Sequence, residues 1–155
     1  LILEKDNPSG LPEFADELRI PIKFGGSASS AVKVHFGKNG VSDDDCSRTA
    51  ASQRVVPKTE SIAKAALEEL LKGLTNFEKS AGFFTSINSG VKINSLTIAN
   101  GTAKVDFDEQ LESAVGGSCR VAAIRAQITN TLKQFASVTS VIISINGRTE
   151  DILQP

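Results

Sequence analysis

The chain has 155 residues, with 17 lysines and arginines against 18 aspartates and glutamates, one histidine, two cysteines and no methionine, tryptophan or tyrosine. Such a length fits one ordinary domain with some added tail, because a single core of this size buries roughly two-thirds of the surface its unfolded chain exposes. The near-balanced charge excludes the dense basic field that supplies most of the affinity for nucleic acid, and no apolar run approaches the about 18 residues needed to cross a bilayer.

The opening residues Leu1-Ile2-Leu3-Glu4-Lys5-Asp6 lack the apolar region of a signal peptide, and a chain without methionine has the look of a mature or truncated ectodomain. Residues 1–30 read as a tail and linker. Pro8, Gly10, Pro12 and Pro21 punctuate short apolar pieces, a helical turn fits residues 12–18 and an extended piece 19–24, and residues 25–30 have a flexible Gly/Ser composition. From residue 31 the chain alternates, Val32, Val34 and Phe36 on one side and Lys33 and His35 on the other, as a half-buried strand does. His35 is then expected to face solvent or a strand edge, with no serine, cysteine or paired carboxylate placed by the sequence to work with it. The run Asp43-Asp44-Asp45 lacks the alternate spacing and the distal glutamate of a calcium loop, and reads as solvated charge.

Residues 52–56 make a second short strand, stopped by Pro57. Thr59 is expected to cap a helix whose apolar face carries Ile62, Ala66, Leu67, Leu70 and Leu71, ending at Gly73. Thr75 and Glu78 have capping-box spacing and indicate a short second helix to Ala81. Phe83, Phe84 and Ile87 are expected to fill core gaps. The dipeptide Asn100-Gly101, between strands at 91–98 and 102–107, is a strong hairpin signal, with a bulge near Asn94-Ser95 where the first strand shifts phase. Ser118 is expected to cap a long helix with Val121, Ile124, Ile128, Leu132 and Phe135 on its apolar face, and residues 139–145 close the sheet with Val141, Ile143 and Ile145 inward.

Cys46 lies in a polar loop and Cys119 near a helix start, neither of them the apolar setting of a buried structural thiol. Two readings stand, a Cys46–Cys119 disulfide and a pair of free thiols. The positions favour the disulfide, which would place the chain in an oxidising compartment and, on the chain-entropy account, stabilise it by about 4 kcal/mol. Two cysteines without a neighbouring histidine cannot assemble a four-ligand zinc site, and no motif for a cofactor is present. Asp106, Asp108 and Glu109 are the carboxylates to weigh for acid/base chemistry, but Asp106 faces outward from a strand and the other two suit a helix start. The expectation is a protein without catalytic residues.

The ordered set Leu70-Leu71-Lys72-Gly73, Glu78-Lys79, Gly82-Phe83-Phe84-Thr85-Ser86-Ile87, Ala103-Lys104-Val105-Asp106-Phe107, Gln134-Phe135 and Val141-Ile142-Ile143-Ser144-Ile145-Asn146-Gly147 resembles the GerMN domain of the sporulation and spore germination family. The likeness covers about residues 32–148. Where that family commonly has Gly-Pro-Thr and Ile-Pro, this chain has Gly73-Leu74-Thr75 and Ile87-Asn88, departures that concern loop rigidity rather than fold. The resemblance implies an α+β domain over 31–149, followed by a C-terminal tail at 150–155. Its sheet would have four to five mixed or antiparallel strands with two main helices on one face, similar to the ring-building modules of secretion and sporulation channels. It also implies an extracytoplasmic address at a bacterial envelope, as a lipoprotein or secreted ectodomain, with a lipid-anchored tether upstream. The function expected is noncatalytic assembly or protein binding, by self-association or with a protein partner. The alternative is a peptidoglycan or carbohydrate binder, against which stands the absence of the tryptophan and tyrosine faces on which sugars stack.

Overall fold

A computed structural model describes residues 29–154; the helical turn expected over 12–18, the extended piece over 19–24 and the linker expected over 25–30, up to residue 28, lie outside the described residues, while Ser29 and Ser30 of that linker are strand. The main unit comprises Val32–Arg54 together with the chain from Ser61 onward, while residues 29–31 and 55–60, the outer ends of the first two strands, belong to a second unit.

Alternation drives the first strand, β1 (Ser29–Lys38), which buries Val32, Val34 and Phe36 and begins two residues earlier than the apolar pattern alone indicates. It is the centre of a three-stranded sheet, flanked by β2 (Ala50–Pro57) and by the two-residue β3 (Phe83–Phe84), with β3 antiparallel and Gly37 opposite Phe84. Between β2 and β3 run two helices. The first, α1 (Ile62–Leu71), buries Ala63, Ala66, Leu67 and Leu70 on one stripe. Its N-cap is Ser61 rather than Thr59, because the extended backbone of β2 carries the chain to Pro57 and the helical dihedrals begin only at Ile62. It stops where Gly73 takes a φ of +89°, the left-handed geometry expected of it. The second, α2 (Asn76–Ser80), carries both halves of the capping box between Thr75 and Glu78.

The second sheet holds β4 (Ile93–Ala99), β5 (Thr102–Phe107) and β6 (Ser140–Ile145) in that order. Asn100 and Gly101 join β4 to β5 with φ of +54° and +80°, and the register shifts between Ile93 and Ser95 as the phase change predicts. β6 runs parallel to β5, Thr102 opposite Ser140 through Phe107 opposite Ile145. A parallel pair needs a crossover. It is supplied by a 3-10 turn (Glu109–Glu112) and α3 (Ser118–Lys133), whose N-cap is Gly117 and not Ser118. Val121, Ile124, Ile128 and Leu132 of α3 pack with Val34, Phe36, Leu67, Leu70, Phe107 and Ile145 in one core, and Phe83 meets Phe36 edge-on at 6.4 Å.

The fold is α+β, with two differences from expectation. Two three-stranded sheets replace a single sheet of four to five strands, because side chains of the α3 region close the edge of β1 beyond β3. The Lys33 N–H donates to Gln134 Oε1 at 2.9 Å, Gln134 Nε2 donates back to the Lys33 carbonyl at 2.6 Å, and the His35 N–H donates to Thr131 Oγ1 at 3.0 Å. Groups that would have recruited another strand are thereby satisfied. The chain after residue 150 is not a tail. Asn146 and Gly147, at φ of +48° and +83°, turn it back, Ile145 and Arg148 exchange two backbone hydrogen bonds of 2.9 Å, and Ile152 and Leu153 are buried in the core.

Candidate functional site

Among the described residues the most deeply buried carboxylate is Glu78, only 2% exposed. Arg54 grips it from β2, with Nε 3.1 Å from Oε2 and Nη2 2.6 Å from Oε1, while Ser52 Oγ and the Thr75 N–H donate at 2.5 and 2.9 Å. The same guanidinium reaches the carbonyls of Glu69 and Gly73 and lies over the ring of Phe36. Burial pushes the Glu78 pKa up, but Arg54, Ser52 and the Thr75 amide outweigh it and bring the carboxyl down to about 2. With both oxygens occupied, Glu78 serves as an electrostatic rivet between β2, the end of α1 and the start of α2.

The carboxylates weighed for catalysis are likewise engaged with their surroundings. Asp106 accepts from Ser144 Oγ at 2.6 Å, Asn94 Nδ2 at 2.9 Å and the Gly147 N–H at 2.7 Å, and these bonds, the Ser144 hydroxyl foremost, hold it below the usual carboxylate range. Asp108 accepts from the Lys92 N–H at 3.2 Å, and Glu109 lies 3.5 Å from Asn146 Nδ2. Together they fasten the β4 bulge to the turn after β6. Within the acidic run, Asp43 accepts from the Gly40 N–H and Asp45 from the amide and hydroxyl of Ser47, so these two carboxylates shape their own loop. Among the described residues no group of three or more His, Cys, Asp or Glu side chains is arranged to hold a metal ion.

Cys46 and Cys119 are bonded, with Cα atoms 5.3 Å apart, so the disulfide ties the loop after β1 to the first turn of α3. Arg120, one residue on, donates to the Ser86 carbonyl and to Asn88 Oδ1, linking the same turn to the segment after β3. Sequence reasoning found the cysteines but missed the polar stripe beside the apolar face of α3. Gln127, Thr131 and Gln134 fall at steps of four and three, so helical spacing was the available signal. Gln127 and Thr131 are fully buried, and Gln127 Oε1 accepts from Thr85 Oγ1 at 3.0 Å.

Where that stripe reaches β1, an open groove of about 440 Å³ is lined by Lys33, His35, Ala51, Asn130, Lys133 and Gln134. His35 is half-buried on its wall rather than turned freely to solvent, with Nδ1 3.0 Å from Thr49 Oγ1. Burial, and then the charge of Lys33, push its pKa down.

A family model described as Germane, sporulation and spore germination, matches residues 33–151. The chain belongs to the Germane family. Its domain is similar to the first GerMN domain of the sporulation protein GerM from Bacillus subtilis, with a TM-score of 0.60, 25% identity, and coverage of 77% of this chain and 85% of that one. Against the tandem GerMN domains of the same protein the TM-score is 0.59 at 25% identity, again with 77% of this chain matched but only 40% of that one. An inferred lipoprotein from Clostridium perfringens shares the fold, with a TM-score of 0.52, 15% identity and 86% of each chain covered. No curated protein matches the chain. The family match takes in the Asn146-Gly147 turn and runs to Asp151, just short of the buried Ile152 and Leu153.

Proposed function

We propose that this Germane domain is a noncatalytic, extracytoplasmic assembly module of the cell envelope that works by protein–protein contact. The observation that carries the reading is the second sheet. Its outer strands, β4 and β6, contain no charged residue and no proline, and they expose Ile98 and Ile142 at 38% and 42%. Proteins usually blunt such edges with charge, proline or cover, because unpaired backbone groups recruit other chains. The disulfide supports the address, since such bonds persist in oxidising compartments. Further support comes from the description of the Clostridium perfringens relative as an inferred lipoprotein, which fits a lipid-anchored tether upstream of this domain.

Light scattering coupled to size exclusion over a concentration series tests self-assembly. The expected result is a mass that rises above the monomer, and that falls back when Ile98→Lys and Ile142→Glu place charges on the two edges. A strict monomer at millimolar concentration would remove self-association, and retention on purified sacculi would replace assembly by carbohydrate binding. Proximity labelling in the native envelope then names the protein neighbours.

A further inference from the structure

We infer that the groove between β1 and α3 docks a carboxylate of an acidic peptide segment, a site distinct from the sheet edges proposed for assembly. The argument is an inventory of donors. Gln134 is committed to the backbone of Lys33 and to the Thr131 carbonyl. Thr49 Oγ1 accepts from Asn130 Nδ2 at 3.0 Å and lies 3.0 Å from His35 Nδ1, to which it can donate its own proton. With the hydroxyl donating, the neutral imidazole carries its proton on Nε2, and the imidazolium that a bound anion favours carries one there in either case. Three donor groups then remain without a partner among the described residues: His35 Nε2–H and the ammonium groups of Lys33 and Lys133. The acceptor left over is Asn130 Oδ1, and among the described residues no acidic side chain lines the groove.

Two ammonium groups and an N–H without a counter-ion among the described residues form a local positive site on a chain whose formal net charge is only −1. The donors call for an anion. Among the described residues the wall offers no arginine fork and no converging backbone amides, the fixed geometries built for phosphate; its lysines act as point charges that serve a carboxylate as well, and the phosphate arm of the test below separates the two. A peptide cannot add here as a strand, because Gln134 and Thr131 already hold the backbone of β1. Recognition therefore runs through an acidic side chain.

His35 is the only histidine in the chain, so its imidazole proton resonance reports on the groove alone. The charged groups facing it are Lys33 on β1 and Lys133 on α3; β2 contributes Ala51 and the preceding loop Thr49, both neutral. A bound anion favours the imidazolium. Titration of the intact domain with tetraglutamate, followed by NMR, should saturate and raise the His35 midpoint by about half to one pH unit. Added salt should weaken the effect. Lys33→Gln and Lys133→Gln, both at exposed positions, should abolish the shift while leaving the folded spectrum and the mass from light scattering unchanged, which separates this site from sheet-edge assembly. No saturable shift at millimolar tetraglutamate, or an undiminished shift in the double variant, would overturn the proposal. A shift with inorganic phosphate and none with the peptide would overturn the peptide assignment.

Discussion

At the scale of single residues, Arg54 and Glu78 form a buried pair in which removing one partner leaves the other's charge uncompensated. Removing Arg54 strands a buried carboxylate, so Arg54→Ala is expected to lower the unfolding free energy by about 3 to 5 kcal/mol, and Glu78→Gln by roughly 3 kcal/mol. In a double-mutant cycle by denaturant unfolding, the combined loss should fall short of the sum. The pair also fixes an acid limit. The folded pKa of Glu78, about 2, lies below its ordinary 4.5, so its contribution is fully present above about pH 4.5 and is lost as pH falls toward 2. His35, held below 6.5, acts in the same direction at higher pH, because the unfolded chain binds that proton more readily. Gly101 is constrained for a different reason. At φ +80° a side chain is strained, and a Cβ there would lie 2.7 Å from Thr139 Oγ1, while the Gly101 carbonyl accepts from the amides of Thr139 and Ser140. Gly101→Ala should therefore cost at least about 1 kcal/mol in denaturant unfolding and loosen the hairpin against β6.

Among the elements, α3 makes the widest range of connections. Its apolar stripe enters the core, its polar stripe seals β1, and its first turn carries the disulfide. The disulfide spans 73 residues, and the chain-entropy account assigns such a closure about 4 kcal/mol. Reduction should lower the melting temperature by on the order of 10 °C, read by calorimetry, while circular dichroism below the transition stays nearly native. That outcome is expected because Cys119 is exposed and the helices and sheets do not depend on it for their hydrogen bonds. If reduction instead left the melting temperature unchanged, the loop would already be held by its own bonds. The Ser42 hydroxyl, donating to the Arg48 carbonyl and accepting from the Lys38 amide, is the first of those to examine.

At the scale of the whole molecule, the segment that closes the chain on itself is the returning C-terminal piece. Arg125 holds the Ile152 carbonyl at 3.2 Å, Glu112 accepts from the Leu153 amide at 3.3 Å, and Arg148 pairs with Glu112 at 2.7 Å. Ile152 and Leu153 fill the core with 4% and 3% exposure, and Leu→Ala changes in comparable settings cost about 2 to 5 kcal/mol. Leu153→Ala is expected to fall within that range in chemical denaturation. A change below about 0.5 kcal/mol, the ordinary surface effect, would mean the segment is peripheral after all.

What the sequence determined alone is local. Alternation located β1, β5 and β6; helical spacing gave the apolar faces of α1 and α3; and Thr75 with Glu78 marked a capping box. Asn100-Gly101 marked a turn because a two-residue hairpin needs positive φ at both positions. The same dipeptide recurs at Asn146-Gly147, where it turns the chain back, although the sequence reads there as a domain end followed by a tail. Tertiary structure decided the rest. Whether Glu78 is a surface charge or a buried rivet depends on Arg54, 24 residues earlier, and the sealing of β1 depends on Gln134, 101 residues from Lys33. The groove likewise exists only because α3 crosses β1 where Lys33, His35, Asn130 and Lys133 face a common space. Periodicity fixes which face of an element is apolar, since that depends on neighbours within a few residues; which elements meet, and in what register, is set by packing between distant segments that no local pattern encodes.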